Sequence, residues 1–335
     1  MSDPRLTLDE IEALTRSALV ACGASGAQLD AATASVVDAE AEGIRIVGLG
    51  FLSIYCDQLK AGKIDGNAIP EITQIAPARL RADARNGFSH AAFLAALPRW
   101  LEMARDQGAA VLTVDHSNSA GVVGWFVEKA AREGLLCLGF ANSSPMMPGP
   151  GGRKPFFGTN PLAFAAPRSA NNPPLVIDMA TAQVAYVAIK ERADKGLPLP
   201  PGWGLDSEGN PTEDANAVIN GGMNGPLGGA KGALLALIVD VLAGGLAGPS
   251  FSFQSSSIVD DLGGPMGIGQ CFIAIDPQST DFTARLDAML AAMSETGSDR
   301  IPGARRDENR TAAEQDGIAV PQQLLNEIRA YACEN

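Results

Sequence analysis

Histidine is scarce in this 335-residue chain: it occurs twice, at His90 and His116. Any imidazole acid–base chemistry must therefore pass through one of those two positions. Cysteine is thin and scattered. Cys22, Cys56, Cys137, Cys271 and Cys333 lie far apart and form no CxxC pair, which excludes a disulfide framework and a zinc site. With two separate histidines beside them, no metal is expected. Positive charge is short as well. Lys and Arg number 25 against 38 Asp and Glu, a formal net charge of −13. That balance argues against a grip on nucleic acid, while leaving room for a local pocket that takes one small anion. The opening MSDPRLTLDEIEALT lacks the continuous apolar core of a signal peptide. The most apolar stretch, Gly232 to Gly248, is short for a bilayer and carries Asp240 and two consecutive glycines. A soluble, cytoplasmic protein without a membrane partner is expected.

Two nucleotide-binding signatures are also missing. There is no GxxxxGK[ST] loop. Gly48-Leu49-Gly50 is followed by Ser53 where a dinucleotide fingerprint needs its third glycine, and Gly264, Gly267 and Gly269 carry that spacing reversed. A nucleotide bound here needs another architecture.

What is present is apolar and patterned. Hydrophobic residues make up 46% of the chain and charged ones 19%, enough for a sizeable core in one large domain or two interleaved ones. Thr7 and Glu10 form a capping-box pattern around Leu8, Ile11, Leu14 and Ala18, which repeat at helical spacing. A second helix is predicted from Ser25 to Glu42, stopped at Gly43. From about residue 108, AAVLTVDHS, LLCLGFANS, NPLAFAAP, PLVIDMA and FIAIDP read as buried strands, with a helix from Gly121 to Glu133 between the first two. Pro145 to Pro161 reads as a loop long enough to suspect of function, and Gly196 to Gly229 as a second irregular region. Residues 281–298 and 321–332 are predicted helical. This order predicts an α/β protein: a core over 76–280, flanked by a helical part built from 1–75 with 281–335.

Several residues are placed to carry chemistry, each with a plainer reading beside it. GGAKG at 228–232 puts Lys231 at the start of an apolar helix, where free N–H groups and the helix dipole attract an anion; a solvated loop lysine fits the same residues. His116 leaves a buried strand for a polar turn, a place for proton transfer or for a structural hydrogen bond. His90, in NGFSHAAF, reads as a packing or capping residue. Asp178, at a strand end, is placed to orient a histidine, to hold a nicotinamide ribose, or simply to form the turn. Arg153 and Lys154 suit a substrate carboxylate, or are a surface charge pair.

Taken in order, HSNSAGVVGWFVEKAAREGLL, GGRKPFFGTNPLAFAAP, VIDMAT, GWGLDSEGNPTED, GGAKG and GQCFIAIDP resemble the malate/L-lactate dehydrogenase family in sequence and spacing. This family is unrelated to the Rossmann-type lactate dehydrogenases. It includes ureidoglycolate and sulfolactate dehydrogenases, diketogulonate reductase and the piperideine- and pyrroline-2-carboxylate reductases. The resemblance runs from LTLDEIEALT to RTAAEQDGI. It implies a non-Rossmann fold with a mixed-sheet cofactor core, a homodimer, and hydride transfer between NADPH or NADH and C2 of a small carboxylate substrate. Position by position, it implies cofactor contacts at Ser143, Asp178, Met179, Ala180 and Lys231, and near Gly303 and Arg305. His116 falls on a histidine assigned as proton acceptor in some members, and Asp178 is the carboxylate suited to orient it.

The substrate side departs from the family. Many members carry Ser-His-Gly, two variable residues and an Arg after the second helix. Here Ile46 stands for the serine, Val47 for the histidine and Phe51 for the arginine, and Gly48 alone remains. Tyr186-Val187-Ala188 stands where an Arg-Gly-Lys-like run is common. Three readings compete. In the first, His116 is the acid–base group, Arg45 or Arg153 binds the carboxylate, and the substrate is a 2-oxo or 2-hydroxy acid. In the second, the substrate is a cyclic 2-imino acid, whose iminium brings its own proton and whose ring suits apolar Ile46, Val47 and Phe51. In the third, the chain binds nucleotide without efficient turnover.

Overall fold

The computed structural model describes residues 3–169, 172–298 and 300–332, so Cys333 lies outside it. Seven strands build one mixed sheet: β1 (Glu71–Ala76), β2 (Arg79–Asp83), β3 (Ala109–Ser117), β4 (Leu136–Ala141), β5 (Leu162–Ala166), β6 (Leu175–Met179) and β7 (Ile268–Ile275). Their order is β1-β2-β3-β7-β4-β5-β6, with β2–β3 parallel and the other neighbours antiparallel.

The longer helices are α1 (Leu8–Ala21), α2 (Gly26–Ala41), α3 (Leu49–Lys60), α4 (Ser89–Gln107), α5 (Val123–Arg132), α6 (Tyr186–Asp194), α7 (Ala230–Asp240), α8 (Phe282–Glu295), α9 (Ala304–Asp316) and α10 (Gln322–Ala332). The local signals act as expected at the start of the chain. The Thr7 hydroxyl accepts the Glu10 N–H at 3.2 Å, and the Glu10 carboxylate accepts the Thr7 N–H at 2.8 Å. Gly43, just after α2, sits at φ +75°, a conformation that costs glycine little.

The sheet buries Leu112 and Phe272 against Phe93 and Trp100 of α4 and Phe126 of α5. A second core joins Ile11, Val36 and Leu52 of the first three helices to Leu325 and Ile328 of α10. The helical flank is therefore drawn more tightly than residues 1–75 with 281–335. β1 begins at Glu71 and belongs to the sheet, and α8 packs Leu286 and Leu290 on Ala166 and Leu175 of the sheet. The segment Pro145 to Pro161 is not all loop, because Met147–Pro148 pairs with Pro155–Phe157. Past its last α-helical residue, α7 continues as a π-helical segment, Val241–Ala247, that lies against β7.

Candidate active site

A cavity of about 190 Å³ opens where the residues after β3 and β4 meet the start of α3, the start of α6 and the loop before β7. Val47 and Phe51 form one wall, Ser119 to Gly121 and Ser143 another, and Ile258 and Val259 a third. It runs on into a second cavity of about 270 Å³ through shared Met146, Tyr186, Ile258 and Val259. Among the described lining residues, none carries a carboxylate, an ammonium, a guanidinium or an imidazole. The polar groups are hydroxyls and one amide.

That amide is already occupied. Asn142 accepts the Gly269 N–H at 2.9 Å and donates to Ser250 O at 2.9 Å and Asp240 at 3.2 Å, which fixes the strand end that presents Ser143. Ser143 differs. Its Oγ is buried and has no hydrogen-bond partner within the protein, and the residue lines the cavity. Gly158 leaves room for it, since a methyl group there would collide with that oxygen. A buried hydroxyl without a partner on a cavity wall fits a polar group brought in by a ligand, such as a nicotinamide carboxamide.

Of the sequence-predicted residues, Val47, Phe51, Ser143 and Ala180 line the cavity. Asp178 sits beside it but is engaged: it accepts the Gly124 N–H at 2.9 Å and Arg306 at 3.2 Å, and Arg306 also reaches Glu42 at 3.4 Å. Met179 is exposed next to it. His116 is absent from the lining. Its backbone adopts φ +45°, and its Nδ1 lies 3.3 Å from Asp83 and 3.7 Å from Asp115, so its carboxylate neighbours are those two and not Asp178. Arg45 is exposed and donates to Ala319 O at 3.1 Å. Arg153 is exposed and packs over Gly209. Lys231 is exposed in the first turn of α7. Gly303 begins α9 against Val176 at φ +92°, and it is Arg306, one residue past Arg305, that meets Asp178. His90 is buried in the core, stacked on Phe126 at 4.9 Å.

No local sequence signal marks the residues that shape the third wall. Lys63 is fully buried, and its ammonium donates to the carbonyls of Ser257 (2.6 Å), Leu262 (2.7 Å) and Asp260 (3.1 Å). Gln58 donates to Ile258 O at 3.1 Å and Asp260 O at 2.9 Å. Burial lowers the lysine pKa, and Asp260 and Asp261 pull it back up. Lys63→Met keeps the apolar stem but strands the carbonyls, so a loss of about 2–4 kcal/mol and a raised KM with a smaller change in kcat are expected. Urea unfolding and steady-state kinetics check both. An unchanged KM would separate this clamp from the cavity.

The malate/L-lactate dehydrogenase family model matches residues 6–329. The (2R)-3-sulfolactate dehydrogenase (NADP(+)) of Chromohalobacter salexigens is 37% identical over 329 residues, 98% of this chain and 98% of that protein. A Δ1-pyrroline-2-carboxylate/Δ1-piperideine-2-carboxylate reductase of Pseudomonas aeruginosa is 38% identical over 97% of this chain and 98% of its own length. The crystal structure of Δ1-piperideine-2-carboxylate reductase from Pseudomonas syringae matches with a TM-score of 0.92 at 32% identity, covering 98% of this chain and 99% of that one.

Proposed function

The chain belongs to the malate/L-lactate dehydrogenase family, and from that premise we propose that it is an NAD(P)H-dependent reductase of a small cyclic 2-imino acid of the piperideine- or pyrroline-2-carboxylate class. The observation that carries this reading is the cavity wall: hydroxyls, one amide and apolar groups, with no acid, base or cation among its described residues. A 2-oxo acid enters as an anion and would lose solvation without a partner charge, at a cost of several kcal/mol. A protonated cyclic imino acid joins an iminium to a carboxylate and is neutral overall. It suits an uncharged wall better.

The proton arithmetic points the same way. Hydride addition to a ketone creates an alkoxide, which needs a proton from a positioned donor. Hydride addition at C2 of an iminium converts C=N⁺ to an amine and needs none. Bound NADPH or NADH supplies the hydride. The Ser143 hydroxyl and the segment at Ala180 are suited to hold its nicotinamide end. Lys231, beside the free N–H groups of α7, is the proposed anchor for its phosphates, with Gly303 and Arg305 as further proposed contacts. Val47 and Phe51 are proposed to pack on the substrate ring. The 2-oxo acid reading keeps one support, the 37% identity to a sulfolactate dehydrogenase; the hydroxyls of Ser119 and Tyr186 would then be the proton sources.

A homodimer in the cytoplasm, without nucleic acid or membrane partners, completes the proposal. Ala230–Ala247 is long and apolar enough by itself to cross a membrane, at mean hydropathy 1.8, yet 44% of it is buried inside the protein. Leu234, Ile238 and Val241 on its outer side are each more than half exposed, at 51%, 53% and 52%. A second copy of the chain covering them accounts for both facts.

The test is NADPH and NADH consumption with piperideine-2-carboxylate and pyrroline-2-carboxylate set against pyruvate, oxaloacetate and sulfopyruvate. Imine turnover at least about 100-fold above oxo-acid turnover in kcat/KM is expected. Turnover of oxo acids alone would favour the second reading, and cofactor binding with no turnover of either class would sink both.

A further inference from the structure

Away from the cavity, at the ends of the parallel strands β2 and β3, Asp83, Asp115 and His116 turn three ligand atoms toward one point. These atoms lie within 4.8 Å of one another, with His116 Nδ1 3.3 Å from Asp83 Oδ1 and 3.7 Å from Asp115 Oδ1. Ligand atoms around a tetrahedral zinc with bonds of about 2.0–2.1 Å are roughly 3.3 Å apart. Asp115 is only 4% exposed, and its Oδ1 is sealed from solvent with no hydrogen-bond partner in the protein. His116 Nδ1 is in the same condition, although the rest of its ring reaches solvent. A buried carboxylate oxygen and a buried ring nitrogen that face each other unbonded cost free energy unless a third species satisfies both.

The rear of the cluster is already built. Arg81 donates to Asp115 Oδ2 through Nε at 2.7 Å and to Asp83 Oδ2 through Nη2 at 3.3 Å, and its Nη2 lies 2.6 Å from Asp115 Oδ2. It therefore holds both carboxylates by their outer oxygens; of the inner ones, Asp83 Oδ1 also accepts the Arg85 N–H at 2.9 Å, while Asp115 Oδ1 has no hydrogen-bond partner. Metal sites use this kind of support behind their ligands. Two carboxylates and one guanidinium leave one net negative charge for a dication to meet.

We propose that Asp83, Asp115 and His116 bind a divalent first-row transition metal ion of the zinc or manganese class, with water completing its coordination on the solvent side. Imidazole and carboxylate ligands without a thiolate suit such ions. The site ties the end of β2 to the end of β3, three residues before Ser119 in the cavity wall, and it is structural.

The test uses untagged full-length protein, stripped with EDTA and then titrated with Zn²⁺ or Mn²⁺. A rise in Tm of about 2–5 °C at saturating metal is expected in the wild type. Co²⁺ should give visible absorption bands at one ion per chain. His116→Ala and Asp83→Asn should keep the stripped Tm near that of the wild type and lose the metal-dependent rise. Wild-type protein with neither a rise nor cobalt bands would overturn the proposal, leaving the cluster a contact between His116 and its two carboxylates. So would a rise of equal size in both variants.

Discussion

Ile46→Ser combined with Val47→His should raise turnover of 2-oxo acids roughly 10²–10⁴-fold, the usual worth of a positioned proton donor. The gain depends on where residue 47 lies. Val47 belongs to the single 3-10 turn Arg45–Val47 that precedes α3, and its side chain lines the cavity, so an imidazole there reaches the space where a carbonyl would be reduced. Imine reduction gains no proton from the change, and its kcat should stay within about tenfold of the wild type. Phe51 is left alone in this variant because its ring packs edge-on against Tyr55 at 5.5 Å, and an arginine there would disturb packing as well as charge. Measuring kcat/KM for pyruvate and for pyrroline-2-carboxylate in both proteins decides the matter. If the wild type already reduces pyruvate as fast as the variant, the missing donor was never limiting.

His90→Phe should remove a large part of the protein's acid sensitivity. Burial and the Lys129 ammonium hold the buried His90 at a pKa of about 3, against an ordinary value of 6.5. The folded protein therefore refuses a proton that the unfolded chain accepts. This contribution to stability is complete above pH 6.5 and is lost as pH falls toward 3. Two pH units below 6.5, the loss is about 3 kcal/mol. Buried Glu40, Glu42 and Asp240 run the other way, since burial raises their pKa values and their contribution is lost as pH rises. Comparing variant with wild type cancels them. Phenylalanine keeps a flat ring against Phe126 and against Trp125. Urea unfolding at pH 7.5 and pH 4.5 should show the wild type losing about 2–3 kcal/mol more than His90→Phe. Equal losses would mean that His90 is not held neutral by its burial.

Local rules made parts of this fold legible. The Thr7–Glu10 box, the Gly43 stop and the apolar runs of β3 to β6 each depend on neighbours in sequence and form where the pattern places them, while β7 starts at Ile268, four residues ahead of the FIAIDP run. Other elements escaped for physical reasons. β1 is mostly solvent-exposed, so EITQIA shows no buried run, and α9 buries only Ala313 and has no apolar stripe to reveal its period. The cavity was legible through resemblance, which pointed to positions 47, 51 and 143. Its third wall was not, because Lys63 reaches loop carbonyls nearly two hundred positions away. His116 shows the limit of reading a strand end. The sequence puts it at the mouth of a turn, but the sign of φ decides which way the ring faces, and at +45° it faces Asp83 and Asp115.

The place of β7 has a consequence for how the chain is made. It lies between β3 and β4, yet Ile268–Ile275 leaves the ribosome long after both. Until then the two halves of the sheet wait with bare inner edges, open to pairing with whatever strand is near. A transcript cut short before Ile268 would yield two unjoined half-sheets, prone to aggregate, in place of a smaller working enzyme.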